Sequence, residues 1–406
     1  MKIQRCKGMR DMSPNDMAVF HGLKGICRDC FTKWGYREVR TPTIEYLHLF
    51  TSAGTLTPTM LGKVYSFLDW DGWSGERVVL RPDGTIPVAR LYTESMPGKG
   101  LARLFYVANM FTFETGDKTR ERWQCGAELI GVGSAKADAE LIALSMEIVN
   151  ELGLKNVELR LSHAGILKAL LTKLKITPEE QHKVFDSILD GDTKVLAKVT
   201  KLVPELGEIL MPLFSLEAQS PGFLREKRES LCRVFPEIGS ALGDFCQIVS
   251  ILDELNIKYK VDIASGSGFE YYTGIIFQLF TGAEKIGGGG RYDALIPSMG
   301  GGDVPASGCA IYLDKLLTLV KGETASLPSA ARVLVKGSDP KKMFDTAAAL
   351  RQAGFIAELD LDGKSADWTL EVKGSGALTL TDKAGRKTDY QSIEQVVKLL
   401  EAKSAS

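Results

Sequence analysis

The chain has 406 residues, enough to bury a substantial core and to form two or three domains. Hydrophobic residues at 44%, charged residues at 25% and a net charge of -1 describe a globular protein without the basic field that draws a chain to a phosphate backbone. No stretch approaches the roughly 18 apolar residues that span a bilayer, and residues 1–7 lack the apolar segment of a signal peptide, so the expectation is a cytoplasmic protein with no membrane partner.

The first predicted helix covers residues 14–34. Ser13 can cap it, Pro14 suits its first turn, Asp16 complements its dipole and Gly35 supplies a left-handed stop. Phe20, Leu23, Cys27, Phe31 and Trp34 form its apolar stripe, so Cys27 and Cys30 read as buried small hydrophobes rather than half a metal site. The seven cysteines are odd in number and scattered, as reduced thiols are. The four histidines, His21, His48, His163 and His182, have no ligand spacing, and no metal site is expected.

Strand signals follow at residues 37–40, 64–68, 77–81, 104–112 and 126–131, bounded by Gly, Pro or Asp turns. A helix near 137–152 and a strand over 157–162 extend a pattern that is not the regular alternation of a doubly wound sheet. Residues 164–255 are helical in pattern, with Leu167, Leu170, Leu171 and Leu174 three and four apart, and read as an insertion. Strands are predicted at 258–264 and 275–280, and a helix over about 306–320 closes a first domain of residues 1–322. Residues 321–331 are small, polar and proline-containing, as a linker is. A small α/β domain is predicted at 332–402: strand 332–335, helix 341–353, strands 355–361, 368–372 and 377–381, and helix 392–400. Eleven basic residues face eleven acidic ones between Arg332 and Glu401, a balance that does not favour RNA binding.

Several short segments carry chemistry. Arg81-Pro82-Asp83-Gly84-Thr85 offers a carboxylate and a hydroxyl, which a buried ammonium requires, though the same residues also suit an ordinary strand-to-helix turn. Gln124 and Glu128 fall on one face of a strand and can serve one pocket or a satisfied core network. Tyr271 and Tyr272 combine aromatic faces with hydroxyls, as an imidazole ligand needs, and equally suit sheet packing. The run Gly287-Gly288-Gly289-Gly290 lacks the Lys-Ser or Lys-Thr ending of a phosphate loop and reads as close backbone packing beside a ligand. His163, at a strand end, reads as a surface or capping residue.

Together with Gly8-Met9-Arg10-Asp11-Met12-Ser13-Pro14, with Met110-Phe111-Thr112-Phe113-Glu114 and with Gly308-Cys309-Ala310-Ile311-Tyr312, these segments resemble the signatures of histidyl-tRNA synthetases. The resemblance covers residues 8–320. It implies an α+β fold: a class II aminoacyl-tRNA synthetase-like antiparallel sheet core flanked by helices, with a helical insertion, and a C-terminal α/β domain resembling a shortened anticodon-binding domain. It also implies that Asp83, Thr85, Gln124, Glu128, Tyr271 and Tyr272 form a histidine site.

The departures lie on the nucleotide side. Synthetases carry an arginine where this chain has Thr112, another at Ser267, and a glycine and an adenine-stacking arginine at Tyr312 and Lys315. Losing one preorganised charge-stabilising donor costs roughly 100- to 1,000-fold in rate, so adenylation is expected to be too slow to serve translation. In this the chain resembles the synthetase-like regulatory subunit of ATP phosphoribosyltransferase. That resemblance implies no catalytic residues and no cofactor, histidine as feedback ligand, and a short-form catalytic subunit as partner. It further implies a homodimer within a hetero-oligomer and no nucleic acid. A working histidyl-tRNA synthetase remains the alternative, favoured by the C-terminal domain, and a stand-alone histidine sensor or RNA-binding module is a third reading.

Overall fold

The structure is a computed structural model that describes residues 3–52, 61–70, 75–96, 100–116, 118–172, 235–262, 271–320, 331–361 and 366–404, with isolated positions between 177 and 233. The chain divides into two compact units, Met1–Ala325 and Ser326–Ser406.

The first unit is built on an eight-stranded sheet. Its spatial order is β1 (Arg37–Glu38), β5 (Ala102–Phe111), β6 (Glu121–Ile130), β11 (Ala306–Tyr312), β10 (Glu284–Arg291), β9 (Ile275–Thr281), β7 (Val157–His163) and β8 (Lys260–Val261). Neighbours run antiparallel except for the edge pairs β1·β5 and β7·β8, which are parallel. One face is covered by the helices Pro14–Lys33, Ala135–Glu151 and Gly239–Glu254, whose apolar stripes (Phe20, Cys27, Leu141, Ile148, Phe245, Val249) bury against Phe105, Leu129 and Ile311. A second apolar cluster, including Ile86, Tyr92, Tyr106, Tyr271 and Tyr292, packs around the helix Thr85–Ser95. A small sheet of β2 (Ile44–Tyr46), β4 (Gly75–Leu80) and β3 (Ser66–Trp70) adjoins it in the same unit, and every residue of β3 is exposed.

Local signals explain the first helix. The Ser13 hydroxyl accepts the Asp16 N–H and the Asp16 carboxylate accepts the Ser13 N–H, both at 3.2 Å, closing a capping box, and Gly35 takes φ +81° just past the helix end.

One expectation fails near the site. Residues 306–312 are the strand β11, not the start of a helix, and the helix begins only at Leu313, where Leu316 and Leu317 supply its apolar face. β11 is paired on both sides, by β6 and β10, and its small residues Ser307, Gly308, Cys309 and Ala310 show no period that distinguishes strand from helix. The glycine run lies inside the strand β10 and carries no side-chain pattern at all. β6 begins at Glu121, five residues earlier than residue 126, and the helix Thr85–Ser95, β2 and the helix Leu47–Ser52 had no strong signal. Of the helical insertion, Ala164–Thr172, a 3-10 turn at Pro236–Ile238 and Gly239–Glu254 are helical; most of 173–234 lies outside the described residues, as do 263–264 of the strand expected over 258–264.

The second unit has a five-stranded sheet in the order β13 (Ile356–Leu359), β12 (Arg332–Gly337), β14 (Trp368–Val372), β15 (Leu378–Asp382) and β16 (Lys387–Tyr390), with helices Pro340–Gln352 and Ile393–Ser404. Val335, Leu350, Leu370, Val396 and Leu400 form its core. β16, short and polar on the edge, escaped the hydrophobic pattern.

Candidate functional site

The site begins where β4 turns into the helix Thr85–Ser95. Arg81 is buried, and its guanidinium donates to the carbonyls of Asn109 (2.8 Å), Thr41 (2.9 Å) and Pro42 (3.1 Å). This arginine clamps the turn and is spent on main chain. Two residues on, the Asp83 carboxylate accepts the Ile86 N–H at 2.9 Å and caps the helix that Gly84, having no side chain, cannot cap. A Cβ on Gly84 or on Gly126 would fall 2.4 or 2.3 Å from the Tyr106 ring, so these glycines admit that ring. Tyr106 in turn accepts a 2.9 Å hydrogen bond from the Gln124 amide.

Glu128 sits four residues along β6 from Gln124 and is 1% exposed. Its carboxyl accepts from the Thr85 hydroxyl at 2.8 Å and from the Tyr292 hydroxyl. Opposite it in the ladder is Gly308, where a Cβ would lie 1.9 Å from Glu128 Oε2, so the small residues of β11 make room for the acid. Tyr271 packs against Tyr272 and Tyr292 with ring centroids 5.2 and 5.5 Å away.

The electrostatics follow from burial. Desolvation pushes Asp83 up to about 6 against the N–H groups that pull it down, and carries Glu128 well above the usual carboxylate range with Asp83 adding to the effect. Among the described residues no arginine or lysine pairs with either acid. Two buried carboxyls ringed by the hydroxyls of Tyr106, Tyr271 and Tyr292 make a site suited to a guest that brings positive charge or several N–H donors.

These residues surround a cavity of about 80 Å³. Asp83, Thr85, Gln124, Tyr271 and Tyr272 line it, and Glu128 stands behind Thr85 and Tyr292. The structure adds Tyr292, Gln278 and Lys285 to the lining, with Tyr106 behind Gln124. A signal existed for Gln278, a buried polar residue in the otherwise apolar β9; for Lys285 there was none. Of the departures noted in the sequence, Thr112 accepts a 2.7 Å hydrogen bond from Arg122, Lys315 pairs with Glu284 at the surface, Tyr312 lines the cavity, and Ser267 lies outside the described residues. Just before β6, Arg120 donates to the Glu114 carbonyl at 2.7 Å over the Phe113 ring.

Arg291, beside the glycine run, points to the helical face instead. It pairs with Asp138 and, at 3.1 Å, with Asp244, while Ser307 donates to Asp138 at 2.8 Å. Burial raises Asp138 to about 6 although Arg291 opposes it. His163 is not a surface residue: it is 3% exposed, with Nε2 3.3 Å from Asp244 and Nδ1 accepting the Gly165 N–H. The packing of Ala164–Thr172 and Gly239–Glu254 over β7 buries it.

A family model described as histidyl-tRNA synthetase matches residues 8–316. An ATP phosphoribosyltransferase regulatory subunit of Dehalococcoides mccartyi is 47% identical over 405 residues, 98% of each chain. The chain belongs to this synthetase-like family of regulatory subunits. A histidine–tRNA ligase of Methanosarcina acetivorans is more distant, 31% identical over 425 residues and 98% of each chain. Two solved structures share the fold: a histidyl-tRNA synthetase from Nostoc (TM-score 0.78, 18% identity, 99% of this chain and 100% of that one) and an ATP phosphoribosyltransferase regulatory subunit/histidyl-tRNA synthetase from Bacillus halodurans (0.74, 24%, 90% and 94%). Among the described residues no helix is long and apolar enough to cross a membrane.

Proposed function

We propose that this chain is the non-catalytic regulatory subunit of ATP phosphoribosyltransferase, in the first step of histidine biosynthesis, and that its cavity binds histidine for feedback control. The observation that carries the reading is a cavity lined by five of the six residues expected to hold an amino acid, beside positions that lack the arginines expected on a nucleotide side. Asp83, Thr85 and Gln124 suit the ligand's ammonium, and Tyr271, Tyr272 and Tyr292, with Glu128 behind them, suit its imidazole. On the nucleotide side, Thr112 is neutral and already engaged, Lys315 is tied to Glu284, and neither offers the planar fork of an arginine.

In this reading the partner is a short-form catalytic subunit that transfers phosphoribosyl from phosphoribosyl pyrophosphate to ATP in the cytoplasm. The chain itself forms a homodimer inside that hetero-oligomer, a role supported by the exposed Phe67, Leu68 and Trp70 on β3. The second unit is a shortened anticodon-binding-like domain that no longer serves tRNA. Histidine controls the partner by binding one assembly state better than another.

The test is reconstitution. The catalytic subunit is assayed with and without this chain, and then with histidine; phosphoribosyl transfer that depends on the chain and falls with histidine supports the reading. The chain alone should give no histidine-dependent exchange of pyrophosphate into ATP, and robust exchange would establish a working synthetase instead.

A further inference from the structure

The cavity is charged at both ends. Asp83 and Thr85, with Glu128 behind them, make one end acidic, and Lys285 is the one basic side chain among the described residues that line the cavity. Backbone register separates the two. Gly308 pairs with Glu128 and Tyr312 with Gln124, so the Tyr312 end lies four residues, about 13 Å, along the strands from the Glu128 end. Gly287 pairs with Ile311, which puts Lys285, two residues earlier in β10, at the Tyr312 end.

The strand is built to aim this lysine inward. Side chains alternate along a regular strand, so residues 285 and 288, three apart, would face opposite sides of the sheet. A Cβ on Gly288 would meet Gln278 and one on Gly290 would meet Tyr272, whereas one on Gly287 would meet Ile311; the pairing of β10 with β9 shifts register between Lys285 and Gly287, and Lys285 lines the cavity. A bulge of this kind re-aims a side chain at the cost of a ladder bond, and bulges concentrate at functional sites.

We propose that Lys285 reaches along the cavity to hold the α-carboxylate of the bound ligand, with Asp83 and Thr85 taking its ammonium and the tyrosines, backed by Glu128, its imidazole. The proposal rests on the histidine reading above and adds the residue that selects the carboxylate. A desolvated carboxylate needs a cation or several donors in place of its water.

The experiment is calorimetric titration of the full-length chain with L-histidine and with L-histidinol, which keeps the ammonium and imidazole but has a hydroxymethyl group in place of the carboxylate. The wild-type chain should bind histidine about 10- to 100-fold more tightly than histidinol, the range of a charge-assisted hydrogen bond. Lys285→Met should lose that margin for histidine while leaving histidinol binding equal or tighter, and Lys285→Arg should restore part of it; circular dichroism verifies folding of each. Equal weakening of both ligands in Lys285→Met, or no weakening of either, overturns the proposal, as does a wild-type chain that binds the two alike, which would leave the histidine reading standing. A wild-type chain that binds neither ligand sinks the histidine reading itself, and this assignment with it.

Discussion

Asp83→Asn is the most direct probe of the buried acids. The carboxyl is held at about 6 instead of its ordinary 3.8, so its ionisation in the folded chain opposes folding by up to about 3 kcal/mol. The sign follows from the direction of the shift. A raised carboxyl pKa contributes no penalty below about pH 4, where the group is protonated folded and unfolded; the penalty grows between about 4 and 6 and is level above that. Asparagine keeps one oxygen for the Ile86 N–H but loses part of the bonding to the Gly84 and Thr85 N–H groups and to Tyr271, so the net gain at pH 8 is smaller, roughly 1–3 kcal/mol. Denaturant unfolding of wild-type and Asp83→Asn chains across pH 4–8, followed by tryptophan fluorescence, reads the difference. The variant should be the more stable at pH 8, with the margin closing toward pH 4, and should bind histidine at least 10-fold more weakly, since the ammonium loses its counter-charge. A variant less stable than wild type at pH 8, or a margin independent of pH, would refute the claim that this carboxylate is a charge held against desolvation.

Gly308→Ala brings a methyl group within 1.9 Å of Glu128 Oε2 and must displace that side chain; a loss of about 1–3 kcal/mol in unfolding and of histidine binding by calorimetry is expected. Tyr292→Phe removes the hydroxyl that donates to Glu128, leaving a buried carboxyl short of a donor at a cost of about 1–3 kcal/mol, measured the same way. Asp138→Ala strips Arg291 of its most buried partner and should cost about 3 kcal/mol or more in denaturant unfolding, while histidine stays a ligand because the pair lies outside the cavity lining. Leu350→Ala, in the core of the second unit, should destabilise that unit by about 2–5 kcal/mol, detected through the fluorescence of Trp368, with histidine affinity set by first-unit residues.

Much of the site was legible because its residues lie in short segments whose spacing is kept in the chain. Asp83 and Thr85 are two apart at a turn, Gln124 and Glu128 share a strand face, and Tyr271 and Tyr272 precede the glycine strand. What escaped notice has a common cause. Gln278 and Lys285 reach the cavity from two different strands, and nothing local to either announces a shared neighbour. The glycine run had no side-chain period to identify it as a strand, and its small-residue partner β11 read as helix.

The amino-acid sequence alone determined the capped first helix, a local pattern of residue types, while its resemblance to the synthetases implied the α+β class, the segments of the proposed pocket and the positions without an arginine. Only the tertiary structure decided that Glu128 stands behind the cavity wall rather than in it, that Arg291 faces Asp138 and Asp244 instead of the ligand, and that a bulge turns Lys285 inward. Those outcomes depend on strand register and on which sheet face a side chain takes, and a one-residue shift in pairing reverses both without altering the sequence pattern.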